Sequence, residues 1–178
     1  MSSLQKPLVQ KIGKLLPDYE TLQMYLVYPN NKFIKDRIKR VNTHKMLKEA
    51  SLRGDNDMIH FFIDKGVDEW NKAMMYAARE GHWDLIKLFI DKGADYWYLG
   101  MEGAARGGHL DLVKFFINKG ADMWDYGMYN AARGGHWDLV KFFIEKGATC
   151  WNFGMRGAEK GGRLDLVEFF KTKLTEIN

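Results

Sequence analysis

A chain of 178 residues that is 46% hydrophobic and 14% aromatic can bury a continuous core, which sets it apart from disordered chains. The formal charge of +4 is unevenly spread: residues 1–48 hold ten Lys/Arg against three Asp/Glu, and the remainder holds 17 against 20. The one cysteine, Cys150, excludes an intrachain disulfide and suits a reducing compartment, and no run approaches the roughly 20 apolar residues that cross a bilayer.

Lys6, Lys11 and Lys14 interrupt the first apolar stretch, so no secretory signal is expected and the chain reads as soluble and cytoplasmic. Residues 1–42 read as three helical stretches. One covers residues 4–16, one runs from Pro17-Asp18 to about 28, and one follows the Pro29-Asn30-Asn31 turn from 32 to about 41. The main reading is an N-terminal helical cap over the rest of the chain. Leu16-Pro17-Asp18 with Leu22 and Leu26 loosely resembles the opening of an F-box, which would imply a substrate-recognition adaptor of a ubiquitin ligase. The basic residues Lys32, Lys35, Arg37, Lys39 and Arg40, continued by His44, Lys45 and Lys48, put several cations on one helical face. They suit a solvated cap face, or alternatively contact with nucleic-acid phosphates or an acidic partner. Only Phe33 is interleaved with them, which weakens a single-strand reading.

From residue 43 the chain repeats. Gly81-His82-Trp83-Asp84-Leu85, Gly108-His109-Leu110-Asp111-Leu112, Gly135-His136-Trp137-Asp138-Leu139 and Gly162-Arg163-Leu164-Asp165-Leu166 recur every 27 residues, and Gly54-Asp55-Asn56-Asp57-Met58 lies one period upstream. Trp70, Trp97, Trp124 and Trp151 form a second column; Gly66, Gly93, Gly120 and Gly147 form a third. Five repeats result: 43–69, 70–96, 97–123, 124–150 and 151–178. Within the third, Met101, Ala104 and Ala105 stand at i, i+3, i+4 and predict a short helix A, ended by Gly107-Gly108. Asp111 opens a second helix B that runs to Asn118, apolar nearly all round, which neighbouring repeats must cover.

Ala104-Ala105-Arg106-Gly107-Gly108-His109-Leu110-Asp111-Leu112-Val113, followed by Lys119-Gly120-Ala121-Asp122, resembles the second half of an ankyrin repeat. The resemblance covers residues 43–178. Ankyrin repeats run to about 33 residues, and six are missing here, between Asp122 and Ala131, together with the family's Thr-Pro-Leu-His tetrapeptide. The resemblance implies an all-α, ankyrin-like helical solenoid whose β-hairpin fingers are strongly shortened to turns. It also implies a concave surface that binds proteins without catalysis. The Trp- and Met-rich short form is similar to ankyrin-like proteins multiplied in large DNA viruses of amoebae, which implies a viral protein acting on a host factor.

The last repeat turns polar. Lys171 fills the column of Ile90, Ile117 and Ile144, and Thr172, Lys173 and Glu176 follow, as a terminal cap with no outer neighbour requires. Chemistry finds little support. His82, His109 and His136 form a column, but packed helices lie about 8–10 Å apart and zinc needs nitrogens at about 2.0–2.1 Å. The histidines are therefore expected to satisfy backbone groups at the A–B turn. Asp84, Asp111, Asp138 and Asp165 are too far apart in the same way to work as paired carboxylates. Cys150 is replaced by Tyr96 and Met123 at equivalent positions, and no phosphate loop accompanies the glycine pairs. No catalytic, cofactor-binding or metal-binding residue is assigned, and the chain is expected to act as a monomer, without cofactor or membrane association.

The tryptophan column reads as a buried structural ladder, each indole N–H reaching a carbonyl; the other reading is an exposed aromatic grip for a partner. Variation between repeats points to a binding edge. One residue after each Trp stand Asn71, Tyr98, Asp125 and Asn152; two after stand Lys72, Leu99, Tyr126 and Phe153; five after stand Met75, Glu102, Tyr129 and Arg156. On a rigid scaffold such loop and helix-edge positions carry recognition. The candidate contacts with a protein partner are Lys72, Met75, Tyr98, Leu99, Glu102, Asp125, Tyr126, Tyr129, Asn152, Phe153 and Arg156.

Overall fold

Each repeat folds as two short helices because its sequence switches from small residues to bulky ones across a glycine. The computed structural model describes residues 43–176. The expectations for residues 1–42, including the F-box-like opening and Lys32, Lys35, Arg37, Lys39 and Arg40, lie outside them. Ten helices and no strand occur among the described residues: α1 (Thr43–Arg53), α2 (Asn56–Asp64), α3 (Trp70–Glu80), α4 (Trp83–Asp91), α5 (Trp97–Gly107), α6 (Leu110–Asn118), α7 (Trp124–Gly134), α8 (Trp137–Glu145), α9 (Trp151–Gly161) and α10 (Leu164–Thr175). No helix among them is long and apolar enough to cross a membrane. The fold is an all-α helical repeat.

The chain divides into two compact units. One holds α1 up to Ala50 together with Asp55–Asp68; the other holds Ser51–Gly54 and Glu69–Asn178. In the first, Met46, Leu47, Ala50, Met58, Ile59 and Phe62 are buried, and the Asp55 side chain caps α2 by accepting from the Met58 amide at 3.0 Å.

In the second unit four helix pairs stack in sequence order. Helix B of each repeat buries one phenylalanine completely (Phe89, Phe116, Phe143 and Phe170), each stabilising by about 2–3 kcal/mol through removal of apolar area from water. Helix A can approach that ring because it carries almost no side chain there. A Cβ at Gly100, Gly127 or Gly154 would collide with Phe116, Phe143 or Phe170 respectively. Where Ala73 takes this place, Trp70 stacks on Phe89 at 5.8 Å between ring centroids.

Helix B ends in a Schellman turn. The Ala94 amide bonds to the Phe89 carbonyl and the Gly93 amide to Ile90, with Gly93 at φ +98°, a left-handed conformation that glycine adopts without strain. Ala121 and Ala148 repeat the bond to Phe116 and Phe143. Only a few residues then lead into the next helix A, so the projecting fingers are reduced to turns.

Two details differ from the sequence expectation. Helix A begins at the tryptophan itself, so the variable columns, expected at the loop and helix edge, lie on its first two turns. Of the Gly107-Gly108 pair only Gly108 is left-handed, at φ +84°. Gly107 is helical and is small for another reason: a Cβ there would collide with the Arg79 carbonyl oxygen of the preceding repeat.

A longer period overlies the 27-residue one. Six residues after the Trp stand Tyr76, Gly103, Asn130 and Gly157; at the start of helix B stand Trp83, Leu110, Trp137 and Leu164. Gly103 and Gly157 bring α5 and α9 onto the backbones of Met75 and Tyr129. Trp83 and Trp137 pack edge-on against Phe115 and Phe169 at 5.2 and 5.1 Å. Between α5 and α7 Asn130 replaces the glycine, buried and donating to the Tyr126 carbonyl of its own helix at 3.1 Å. The four pairs are thus coupled two by two.

Candidate helix-A interaction face

The histidine column holds repeats together. His82, His109 and His136 each bring Nε2 to a main-chain carbonyl of the preceding helix A: Leu52 at 2.9 Å, Arg79 at 3.1 Å and Arg106 at 3.0 Å. A carbonyl only accepts, so Nε2 carries the proton in each ring. The rings lie over left-handed glycines Gly54, Gly81 and Gly108, where no side chain would fit. Arg163 takes the same place against Gly135. Backbone satisfaction at the A–B turn, expected from the sequence, is what these histidines do. Among the described residues no group of three or more His, Cys, Asp or Glu is placed to hold a metal ion.

The tryptophans are partly buried. Trp70 is 9% exposed; Trp97, Trp124 and Trp151 are half-buried, with the Lys119 ammonium 5.9 Å from the Trp97 ring centre. The rings are not the largely exposed grip. Nor do their N–H groups reach a carbonyl among the described residues, a departure from the expected ladder; the indole N–H that does find a partner there is that of Trp137, donating to the Asp165 carboxylate at 2.6 Å.

The variable columns separate into two groups. The column after the Trp carries structure as well as variation. The Asn71 side-chain oxygen accepts from the Asp95 and Tyr96 amides at 2.9 and 2.8 Å, and Asp125 accepts from Thr149 and Cys150 at the same distances. Each fastens the turn that opens the next repeat. Asp125, read from the sequence as a partner contact, is therefore engaged within the chain, while Asn152 is exposed. Tyr98, at this register, stacks instead on Tyr96 at 6.0 Å. Repeat-to-repeat variation marks a surface, yet two residues able to accept hydrogen bonds at a fixed interval are also a clip. The 54-residue recurrence of that acceptor was the signal that could have revealed it.

The second group forms a stripe. Tyr126, Tyr129 and Arg133 follow i, i+3, i+7 and so line one side of α7. Lys72, Met75 and Arg79 do the same on α3, Leu99, Glu102 and Arg106 on α5, and Phe153, Arg156 and Lys160 on α9. The stripes of α7 and α9 meet: Phe153 stacks on Tyr129 at 4.5 Å and meets Tyr126 edge-on at 5.0 Å, with the Lys160 ammonium 5.8 Å from the Tyr129 ring centre. Tyr126 is 49% exposed, Lys72 and Arg156 are exposed, and Met75, Leu99, Glu102, Tyr129 and Phe153 are half-buried.

The electrostatics of this face are uneven. Burial raises the Glu102 carboxyl from 4.5 to about 7. Arg106 is lowered from its usual value, first by burial and then by repulsion from Arg79 and Arg133 in the flanking repeats. The row Arg79, Arg106, Arg133 and Lys160, which variation between repeats does not single out, is a line of cations beside the aromatic cluster, in which Glu80 pairs with Arg79 at 3.5 Å and attracts Arg106. Its members escape notice in the sequence because they hardly vary, and helix C-termini commonly carry a basic residue for the dipole alone.

A family model described as Ankyrin repeats (many copies) matches residues 101–144, and one described as Ankyrin repeat matches residues 71–96. No curated protein matches the chain. The short helix pairs, the glycine-ended turns and these two matches make the chain an ankyrin-like repeat protein.

Proposed function

We propose that the chain is a non-catalytic module that binds a partner protein through the outer stripe of its A helices. Ankyrin repeats indicate a protein-interaction module, and one observation carries the placement: Tyr126, Tyr129 and Phe153 form a contiguous, partly exposed aromatic cluster on a scaffold whose buried Leu and Phe columns do not vary. Aromatic side chains bury large areas while losing few rotamers, and residues of this kind dominate measured interface energies. Lys72, Met75, Leu99, Glu102, Asn152 and Arg156 extend the same face or its rim, and Tyr98 and Asp125 border it at the turns. The similarity of the short repeats to viral ankyrin-like proteins supports a host protein in the cytoplasm as the partner.

Capture of partners from host-cell lysate with the intact chain tests the reading. Tyr129→Ala and Arg156→Ala should each weaken capture by roughly tenfold, about 1.4 kcal/mol. Replacing Lys35, Arg37, Lys39 and Arg40 by Ser should leave it intact. The reverse pattern would move the functional surface to the basic N-terminal residues. Recovery of ligase subunits would favour the F-box-like adaptor.

A further inference from the structure

The cations of the helix-A face stand where acids would be expected to balance them, and acids are scarce there. Arg79 has Glu80 at 3.5 Å, but among the described residues no carboxylate lies within ion-pair distance of Arg106, Arg133 or Lys160. Three like charges on successive helices repel one another, and burial of Arg106 deepens the cost. A row that is unfavourable in the free protein becomes favourable when a complementary anion lies along it.

Geometry restricts that anion. Packed helices recur at about 8–10 Å. A polyproline-II chain rises about 3.1 Å per residue and returns to the same face every third residue, an advance of about 9 Å. An extended peptide with an acid at every third position therefore keeps step with the cation row. Beside the row Tyr126 and Phe153 meet edge-on at 5.0 Å with Tyr126 half open to solvent, a surface for an apolar side chain. A polynucleotide fits less well: it carries a phosphate at every nucleotide, whereas the cations recur only about every 8–10 Å and Glu102 lies one turn from Arg106 on this face.

We propose that the A helices of repeats 97–123, 124–150 and 151–178 bind an extended acidic segment of a partner protein. Its carboxylates recur every third residue on Arg106, Arg133 and Lys160, and an apolar side chain lies against Tyr126 and Phe153. The proposal rests on the protein-binding reading above and specifies the partner's chemistry.

Fluorescence anisotropy of the full chain with a labelled peptide of repeating Glu-Pro-Leu triplets tests it. The triplet peptide should bind, and bind at least about tenfold more tightly than its Gln-Pro-Leu counterpart or a peptide with acids at every fourth position. Arg106→Gln with Arg133→Gln should weaken it by a similar factor at a melting temperature no lower than the parent's, and Arg106→Lys with Arg133→Lys should restore most of the loss. No binding of the triplet peptide, equal binding of the Gln peptide, or an unaffected Gln double variant would overturn the proposal. So would displacement by an oligothymidylate at equal concentration, in favour of nucleic acid. If Tyr129→Ala weakens capture of the natural partner while the Arg106→Gln, Arg133→Gln variant captures it normally, the face stands as the binding site and the acidic chemistry falls.

Discussion

His109 donates its Nε2–H to the main-chain carbonyl of Arg79, 3.1 Å away and 30 residues earlier in the chain. The bond satisfies one of the carbonyls that every helix leaves unpaired at its C-terminus, and it does so across a repeat boundary. The ring also covers Gly81, which has no side chain of its own. His109→Ala removes the donor and leaves a part-buried carbonyl, so urea unfolding should show a loss of about 1–3 kcal/mol. His109→Arg should cost less, because Arg163 already occupies this register against Gly135. Equal losses for the two variants would mean that the bond contributes little beyond packing.

Gly103→Ala separates propensity from packing. Alanine in a helix interior is favoured over glycine by roughly 0.5–1 kcal/mol. A Cβ at Gly103, however, would collide with the Met75 carbonyl oxygen, a backbone atom of the neighbouring helix that cannot swing aside. Overpacking of this kind costs about 1–3 kcal/mol, so the net effect should be destabilising. Gly120→Ala meets no atom within 4 Å and is opposed only by its φ of +110°. Thermal unfolding should therefore show a larger drop for Gly103→Ala than left-handed strain alone gives Gly120→Ala. A stabilised Gly103→Ala variant would show that the A helices slide apart freely.

Much of this fold was legible because a repeat states its rules several times. The Gly–His–Leu–Asp–Leu and Trp columns fixed the helix pairs, and the alternation of Ala-rich with Phe-rich segments fixed which helix was slender. Spacing cannot say why a residue is small. Gly107 and Gly108 look alike in sequence, yet one is helical beneath the Arg79 carbonyl and the other is left-handed. Asp125 and Tyr126 are likewise adjacent variable residues, one fastening the next turn and the other facing solvent. Distinguishing them requires knowing which amides a side chain reaches. Constancy hid the cation row in the same manner, since a basic residue at a helix end reads first as a dipole partner.

Glu102 makes stability depend on pH. Its folded-state value of about 7 stands above the usual 4.5, so between those values the folded chain binds more protons than the unfolded one. Stability from this group is complete below about pH 4.5 and is lost as pH rises to about 7, after which it stays constant. Discounted for its partial exposure, the loss should be about 1–2 kcal/mol. Glu102→Gln should flatten this decline and leave the variant more stable than the parent at pH 8. Urea midpoints of both chains at pH 5 and pH 8 provide the measurement. Parallel curves for parent and variant would place the carboxyl in ordinary water.

The pairing of repeats predicts where the stack opens first. Asn71 holds the Asp95 and Tyr96 amides, and Asp125 holds those of Thr149 and Cys150, all at 2.8–2.9 Å. The equivalent amides between the third and fourth repeats belong to Asp122 and Met123. The residue that would clip them is Tyr98, which stacks on Tyr96 and offers no such acceptor. A hydrogen bond of this kind contributes about 0.5–1.5 kcal/mol, close to a factor of ten in opening at its upper end. Native-state hydrogen exchange should therefore find Asp122 and Met123 exchanging several-fold to tenfold faster than Asp95, Tyr96, Thr149 and Cys150, after correction for intrinsic rates. Tyr98→Asn should install the missing clip and slow both amides by a similar factor, while leaving the Thr149 and Cys150 amides unchanged. If Asp122 and Met123 are already as protected as their counterparts, or if Tyr98→Asn leaves them fast, the third and fourth repeats are joined as firmly as the others and the two-by-two coupling is geometric only.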